Sequence, residues 1–382
     1  MASSEVAIIG VGLHPFGRHQ GKSALEMGED AIIDALADAG VAWPDIQALY
    51  AGSMEVKNPE NVVSLLGPTG IPTRAVFTGC ATGGTSLAMA ANAIRVGDHD
   101  LTLAVGLDKH PRGAFSDHPS VVGLPDWYGE IGLFLTTHFF GMKINRYMHD
   151  HGISHETLAR VSAKAFRNGA ANPTAWRRKP VTEAEVLASQ VLNYPLRQYM
   201  YCNPDEGAAA AVLCRADQAH KYTDTPIYLR ASQLFSRREG SIEVLTPSLN
   251  IETAPSPTVF ASRAAYEEAG IGPEDVDVIQ LQDTDAGSEV IHMAVNGFCA
   301  DGDQEKLLAD GETEITGRLP INTDGGLLAN GEPVGASGLR QVFELVNQLR
   351  GRATGRQVEG ARVGYAQLYG SPGTAAVTIL SR

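Results

Sequence analysis

The chain has 382 residues, a formal net charge of −14 and 43% hydrophobic residues, an ordinary globular balance with room for a large core or two packed domains. The acidic surface argues against nonspecific nucleic-acid binding and against an anionic membrane surface. It does not exclude an anionic ligand, because a local basic patch or a helix N-terminus can hold a phosphate.

In chain order, Met1–Glu5 runs straight into a strand, Val6–Ile9. No basic n-region with an apolar core precedes it, and no apolar run has spanning length. The four cysteines, Cys80, Cys202, Cys214 and Cys299, form no CxxC pair and no Cys/His cluster with zinc spacing, so no metal site is expected. A cytoplasmic protein with reduced thiols is the simplest reading. Ala35–Val41 followed by Asp45–Tyr50 reads as a helix ending at a glycine cap, a short loop and an apolar strand. Strand 75–77, a turn at Cys80, helix 86–96 and strand 101–105 follow. A stretch from about 108 to 198 then breaks the alternation with helices near 136–150 and 155–168, and reads as a mostly helical insertion of the kind that shapes substrate sites. Strands are expected at 208–213 and 227–230. Ala265–Ile271 and Asp275–Leu281 repeat the early helix–glycine–strand pattern with the same spacing. Helix 287–297, a glycine-rich stretch 322–338, helix 339–350 and strands 362–366 and 375–380 complete the chain. One copy of the pattern per half points to an internally duplicated α/β fold, divided as 1–225 and 226–382.

Cys80 stands in Val76-Phe77-Thr78-Gly79-Cys80-Ala81-Thr82-Gly83-Gly84, just before a helix. Small neighbours leave the sulfur approachable, and a helix N-terminus lowers a thiol's pKa. That is the setting of a nucleophilic thiolate. The same segment also fits a small buried cysteine. Cys202, Cys214 and Cys299 lie in apolar strings and read as core. His138, His149, His151 and His155 crowd the insertion without metal spacing and read as surface or packed residues. Arg177-Arg178-Lys179 fits either a phosphate contact or a solvated loop.

Five segments in order resemble the thiolase superfamily over nearly the whole chain: Val6–Gly12, Cys80–Gly84, Asn203–Ala210, Asn322–Gly326 with Gly331–Gly338, and Gly370–Gly373. The likeness is strongest to sterol-carrier-protein-type thiolases and their thiolase-like aldolase relatives. It implies a five-layered α/β/α/β/α fold of two similar halves, a homodimer, and coenzyme A thioesters as substrates. Coenzyme A would enter as substrate or product, with no resident cofactor. It also implies an acylated cysteine at Cys80, a glycine-rich cofactor-facing segment at Gly331, Gly335, Ala336 and Ser337, and, as a partner, a small OB-fold protein with a zinc ribbon.

Three departures matter. Glu332 replaces the histidine of the family's Gly-His-Pro motif. Gln282-Asp283-Thr284-Asp285 replaces a motif carrying a histidine and a cysteine. Tyr369 and Gly370 stand where a late cysteine is usual. Glu332 can accept a proton from Cys80 if burial raises its pKa, whereas an ionised Glu332 would raise the Cys80 pKa. Gln282 can donate to a thioester oxygen. Asp283, Asp285 and Tyr369 remain as acid/base candidates, each with a structural alternative as a cap or solvated group. The first expectation is thiolytic cleavage of a β-ketoacyl-CoA through a Cys80 acyl-enzyme. Retro-aldol cleavage of a β-hydroxyacyl-CoA, as in steroid side-chain breakdown, is the alternative, and a noncatalytic acyl-CoA-binding or scaffold subunit is the third.

Overall fold

The computed structural model describes residues 5–115, 118–132, 134–245 and 254–382. Met1–Ser4 and residues 116–117 and 133 of the expected insertion lie outside them.

The first run is β1 (Val6–Gly17), α1 (Ala24–Ala39), β2 (Ala48–Gly52), α2 (Val63–Leu66), β3 (Thr73–Val76), α3 (Thr82–Arg95) and β4 (Leu101–Lys109). Between β4 and β7 come α4 (Trp127–Glu130), α5 (Thr136–His151), α6 (His155–Ala171), α7 (Glu183–Ala188) and the small hairpin β5 (Val191–Asn193) and β6 (Leu196–Arg197). The chain continues through β7 (Glu206–Arg215), β8 (Ile227–Ser236), α8 (Pro257–Ala269), β9 (Val278–Gln280), α9 (Ala286–Val295), α10 (Gln304–Ala309), α11 (Gly326–Asn330), α12 (Val334–Leu349), β10 (Val363–Gly370) and β11 (Thr374–Ser381). Local chemistry sets the ends. Ser23 and Glu26 form a capping box at the start of α1. Gly40 and Gly270 close α1 and α8 in the left-handed region, at φ 64° and 69°.

The strands order as β3-β2-β4-β7-β1-β8-β11-β10-β9. Read outward from the β1–β8 junction, each side repeats one plan. β1, β7 and β4 are antiparallel neighbours, and β2 and β3 then run parallel. β8, β11 and β10 are antiparallel neighbours, β9 runs parallel to β10, and Ile279 makes a further parallel bridge to Ile321. The junction is short: Val6, Ala7 and Ile8 pair with Leu229, Tyr228 and Ile227.

Helices supply the other layers. α1 covers the outer face of the first half-sheet, where Ala31, Ile32 and Ala35 join Ile9, Leu103 and Val212. α8 covers the second on β8 and β11. α3 and α12 lie between the half-sheets, where Leu87, Ala91 and Ile94 meet Leu339, Val342 and Val346. The thiolase fold, duplicated and five-layered, is thereby established. The central pair approaches at backbone distance. A Cβ on Gly83 would lie 2.8 Å from Leu339 N, and one on Gly338 would lie 2.7 Å from Gly84 N. Both helices therefore start in the same region, and that places the residues preceding each of them together. No described helix is long and apolar enough to cross a membrane.

Candidate active site

Cys80 sits in a tight turn between β3 and α3. Thr82 Oγ1 donates to Gly79 O at 2.6 Å and accepts from Thr78 N at 2.9 Å. Gly79 has φ +58°, and a Cβ there would lie 2.5 Å from Ser371 O. A Cβ on Gly370 would lie 2.9 Å from Cys80 N, so the end of β10 packs directly on the turn. Cys80 opens into a cavity of about 210 Å³ whose walls include Phe140, Thr284, Glu332, Val334 and Tyr369.

Glu332 is fully buried in the turn before α12. Its backbone is tied to the 202–205 segment by Glu332 N donating to Asn203 O at 2.9 Å. Its Oε1 accepts from Gln282 Nε2 at 2.9 Å, and its Oε2 accepts from the thiol of Cys202 at 3.4 Å. It lines the same cavity as the Cys80 thiol and interacts with it electrostatically. Burial raises the proton affinity of this carboxyl, and its interactions with Cys80, Cys202 and Gln282 and the charge of His110 pull it partly back.

The electrostatics correct one expectation. Burial pushes the Cys80 thiol well above the ordinary range, and the Glu332 charge pushes it further. The α3 N-terminus does not turn Cys80 into a resting thiolate. Desolvation and a neighbouring carboxylate outweigh a terminal dipole, whose effect is screened and short-ranged. Among the described residues, no lysine, arginine or histidine is hydrogen-bonded or ion-paired to Cys80 or Glu332.

The other predicted residues separate into wall and scaffold. Gln282 donates its side-chain amide to Glu332, and its backbone carbonyl accepts from His292 Nδ1 at 2.7 Å. Burial lowers the His292 pKa to about 3, so this imidazole is a neutral donor. Tyr369 lines the cavity; its hydroxyl donates to Glu243 and accepts from Val244 N. Asp283 instead receives Leu327 N at 2.7 Å and Leu328 N at 3.3 Å, capping α11. Asp285 is the N-cap of α9, accepting from Ser288 N at 3.0 Å. Neither aspartate is among the cavity-lining residues. Gly331, Gly335, Ala336 and Ser337 are buried in the central layer. Gly331 leaves space for Asp205, Gly335 N donates to Asp108 at 2.6 Å, and Ser337 Oγ donates to Pro333 O. Arg177 donates to Leu328 O at 2.9 Å and is structural at that point.

Sequence reasoning missed two groups. Cys202, read as core, donates to the Glu332 carboxylate in the site that holds Cys80. The signal was its place directly before Asn203–Ala210, which carries the family resemblance. Asp108 and His110 fix the start of α12. Asp108 accepts from Ser53 Oγ at 2.6 Å and from Gly335 N, and His110 Nε2 accepts from Val334 N at 3.1 Å. Burial disfavours the charged form of His110, but the Asp108 and Glu55 carboxylates outweigh it and raise the pKa.

Two half-sheets around a central helix pair, with a cysteine before one helix and a Gly-Glu-Pro turn before the other, define a thiolase-fold protein. Residues 6–181 match the family described as thiolase, N-terminal domain, and residues 248–382 that described as thiolase C-terminal domain-like. The chain is 36% identical to an acetyl-CoA acetyltransferase of Methanothermobacter thermautotrophicus over 99% of this chain and 100% of that protein. It is 30% identical to sterol carrier protein 2 of Homo sapiens over 98% of this chain and 71% of that protein. The solved structure of an Ltp2-ChsH2(DUF35) aldolase shares the fold, with a TM-score of 0.88 at 24% identity over 100% of this chain and 98% of that one. The chain belongs to the thiolase superfamily, in its sterol-carrier-protein-type branch, and is a thiolase-like acyl-CoA enzyme.

Proposed function

We propose that the protein cleaves the carbon–carbon bond next to a coenzyme A thioester by a retro-aldol reaction on a β-hydroxyacyl-CoA, with Glu332 as the proton-transfer group. The observation that carries this reading is that Cys80 and Glu332 line one cavity with no lysine, arginine or histidine among the described residues hydrogen-bonded or ion-paired to either, His110 acting on Glu332 only through space. In a thiol–imidazole pair, proton transfer leaves a thiolate beside an imidazolium. Here it would leave a thiolate beside a neutral acid. Ordinary thiol and carboxyl pKa values differ by about four units, so that transfer is uphill by roughly 6 kcal/mol before any attack begins. A retro-aldol reaction asks for no thiolate. Glu332 takes the β-hydroxyl proton as the Cα–Cβ bond breaks, and the bonding pair moves into the thioester enolate. The Glu332 proton then returns to the α-carbon, giving a ketone or aldehyde and a shortened acyl-CoA. One carboxyl takes and returns the same proton, and a buried carboxyl with raised affinity suits both steps.

Thiolysis of a β-ketoacyl-CoA through a Cys80 acyl-enzyme is the second reading, favoured by the opening of Cys80 into the cavity and by the acetyl-CoA acetyltransferase relative. A homodimer and a small OB-fold, zinc-ribbon partner belong to both readings. A second chain is supported by the name of the Ltp2-ChsH2(DUF35) aldolase and by a relative described as benzoylsuccinyl-CoA thiolase subunit BbsB, from Thauera aromatica, which is 29% identical over 93% of this chain.

Intact-mass measurement separates the two. Turnover of a β-hydroxyacyl-CoA with an unmodified protein mass supports the retro-aldol reading. A covalent acyl adduct from a β-ketoacyl-CoA, absent in Cys80→Ser, replaces it with thiolysis.

A further inference from the structure

Directly behind Glu332 lies a carboxyl that neither reaction uses. Asp205 is fully buried, and neither of its side-chain oxygens has a hydrogen-bond partner. Its space is built for it. Gly331 adopts φ +91°, and a Cβ there would lie 2.1 Å from Asp205 Oδ2, so the absent side chain of Gly331 is the room the carboxyl fills. The backbone ties the two acids together, because Pro204 bridges to Glu332 and Glu332 N donates to Asn203 O.

The charged neighbours come from every side. Arg18, after β1, directs its guanidinium to His110 O, Pro204 O and Glu206. Arg177, after α6, directs its own to Leu328 O and Tyr201 O. Glu206 begins β7, His110 follows β4 and donates its backbone N–H to Asp205 O, and Glu332 precedes α12. The two guanidiniums favour an ionised Asp205 through space, yet neither bonds to it. Burial, Glu332 and Glu206 oppose ionisation. A buried carboxylate that accepts no hydrogen bond is costly, and a group so placed neutralises. Two buried carboxyls in one site do not both ionise near neutral pH.

We propose that Asp205 is protonated in the working protein and is the positioning residue that leaves Glu332 as the lone anion at the floor of the cavity. Loss of the Asp205 proton places a second charge behind Glu332. That holds a proton on Glu332 and takes away the base. The rate then falls on the alkaline side, and the group responsible is one that never meets substrate. This inference rests on Glu332 as the proton-transfer group, so its test includes a measurement that needs no turnover.

Infrared difference spectra of wild type against Asp205→Asn at pH 7 should show the carbonyl stretch of a protonated carboxylic acid that the variant lacks. In Glu332→Gln the midpoint of that band should move down by about one pH unit or more, a tenfold change in proton affinity, because a neighbouring charge is gone. Absence of the band at pH 7, or a midpoint indifferent to Glu332→Gln, overturns the proposal whatever the enzyme catalyses. Where turnover is measurable, the alkaline limb of kcat/KM against pH should disappear in Asp205→Asn, with a rate near neutrality within about threefold of wild type. An unchanged alkaline limb in the variant also overturns it. If Asp205→Asn does not fold, Asp205→Ser supplies the difference spectrum that assigns the band. If the band behaves as stated while neither acyl-CoA is turned over, the retro-aldol reading fails and the Asp205 assignment stands.

Discussion

Glu332 is the residue on which the chemistry turns, and its replacement by glutamine keeps shape while removing the proton acceptor. Turnover should fall about a hundredfold or more, the scale of lost general-base catalysis, with folding intact by circular dichroism. Full activity with reduced thermal stability would make Glu332 structural. Cys80→Ser separates the readings: retained turnover fits the retro-aldol route, and a loss of about a thousandfold fits an acyl-enzyme. Asp285 offers a test away from the chemistry. Burial raises its pKa from the model-compound 3.8 to about 6, against the pull of its Ser288 and Gly287 bonds. The unfolded chain ionises first as pH rises, so wild type loses stability between about pH 4 and pH 6. The expected loss is about 3 kcal/mol and then levels off. Asp285→Asn keeps a cap oxygen and lacks that loss. Denaturant midpoints should show the variant gaining on wild type from pH 4 to pH 7; a constant difference across that range would contradict the assignment.

At the scale of elements, the central helix pair links packing to the site. Gly83 and Gly338 let α3 and α12 meet at backbone distance, and Cys80 and Glu332 stand just before those two helices. Gly83→Ala should cost about 1–3 kcal/mol by overpacking and should also lower turnover, because a shift of either helix separates the two groups. Calorimetry and kinetics on the same preparation check both effects; a stable variant with lost activity would locate the effect in geometry alone. The elements themselves were largely legible. Repeated glycine caps marked the ends of α1 and α8, and period-3.6 patterning marked α5, α6 and α12. The beginnings of α3 and α12 were not legible. Thr82–Thr85 and Val334–Gly338 are short small-residue runs, and tertiary packing makes them helical where propensity does not. The site was half legible. Cys80, Glu332 and Tyr369 line one cavity and Gln282 donates to Glu332, whereas Asp283 and Asp285 cap helices. Cys202 was hidden because one sulfur among apolar neighbours looks the same in a core as beside a carboxylate. The Cys80 pKa was misjudged for a related reason: a helix N-terminus is visible in sequence, whereas burial beside Glu332 depends on contacts between distant segments.

At the scale of the whole molecule, β3 ends the long sheet with Arg74 and Ala75 exposed and Phe77 57% exposed just beyond it. An unpaired edge of this kind is a place for another chain to add. Light scattering at micromolar concentration should give a mass of at least two chains; an active monomer would contradict the dimer proposal. The middle of the sheet has a different consequence. β1 precedes both of its neighbours in the chain by about 200 residues: Ala7 pairs with Cys214 on one side and Tyr228 on the other. During synthesis that strand leaves the ribosome with no partner, and it waits until β7 and β8 have followed it out. The N-terminal half therefore cannot close as translation proceeds, and its apolar strands stay open to chaperones and to one another. Nascent chains stopped before β7 should be cut readily by protease, and protection of the β1 region should appear only when β8 has emerged.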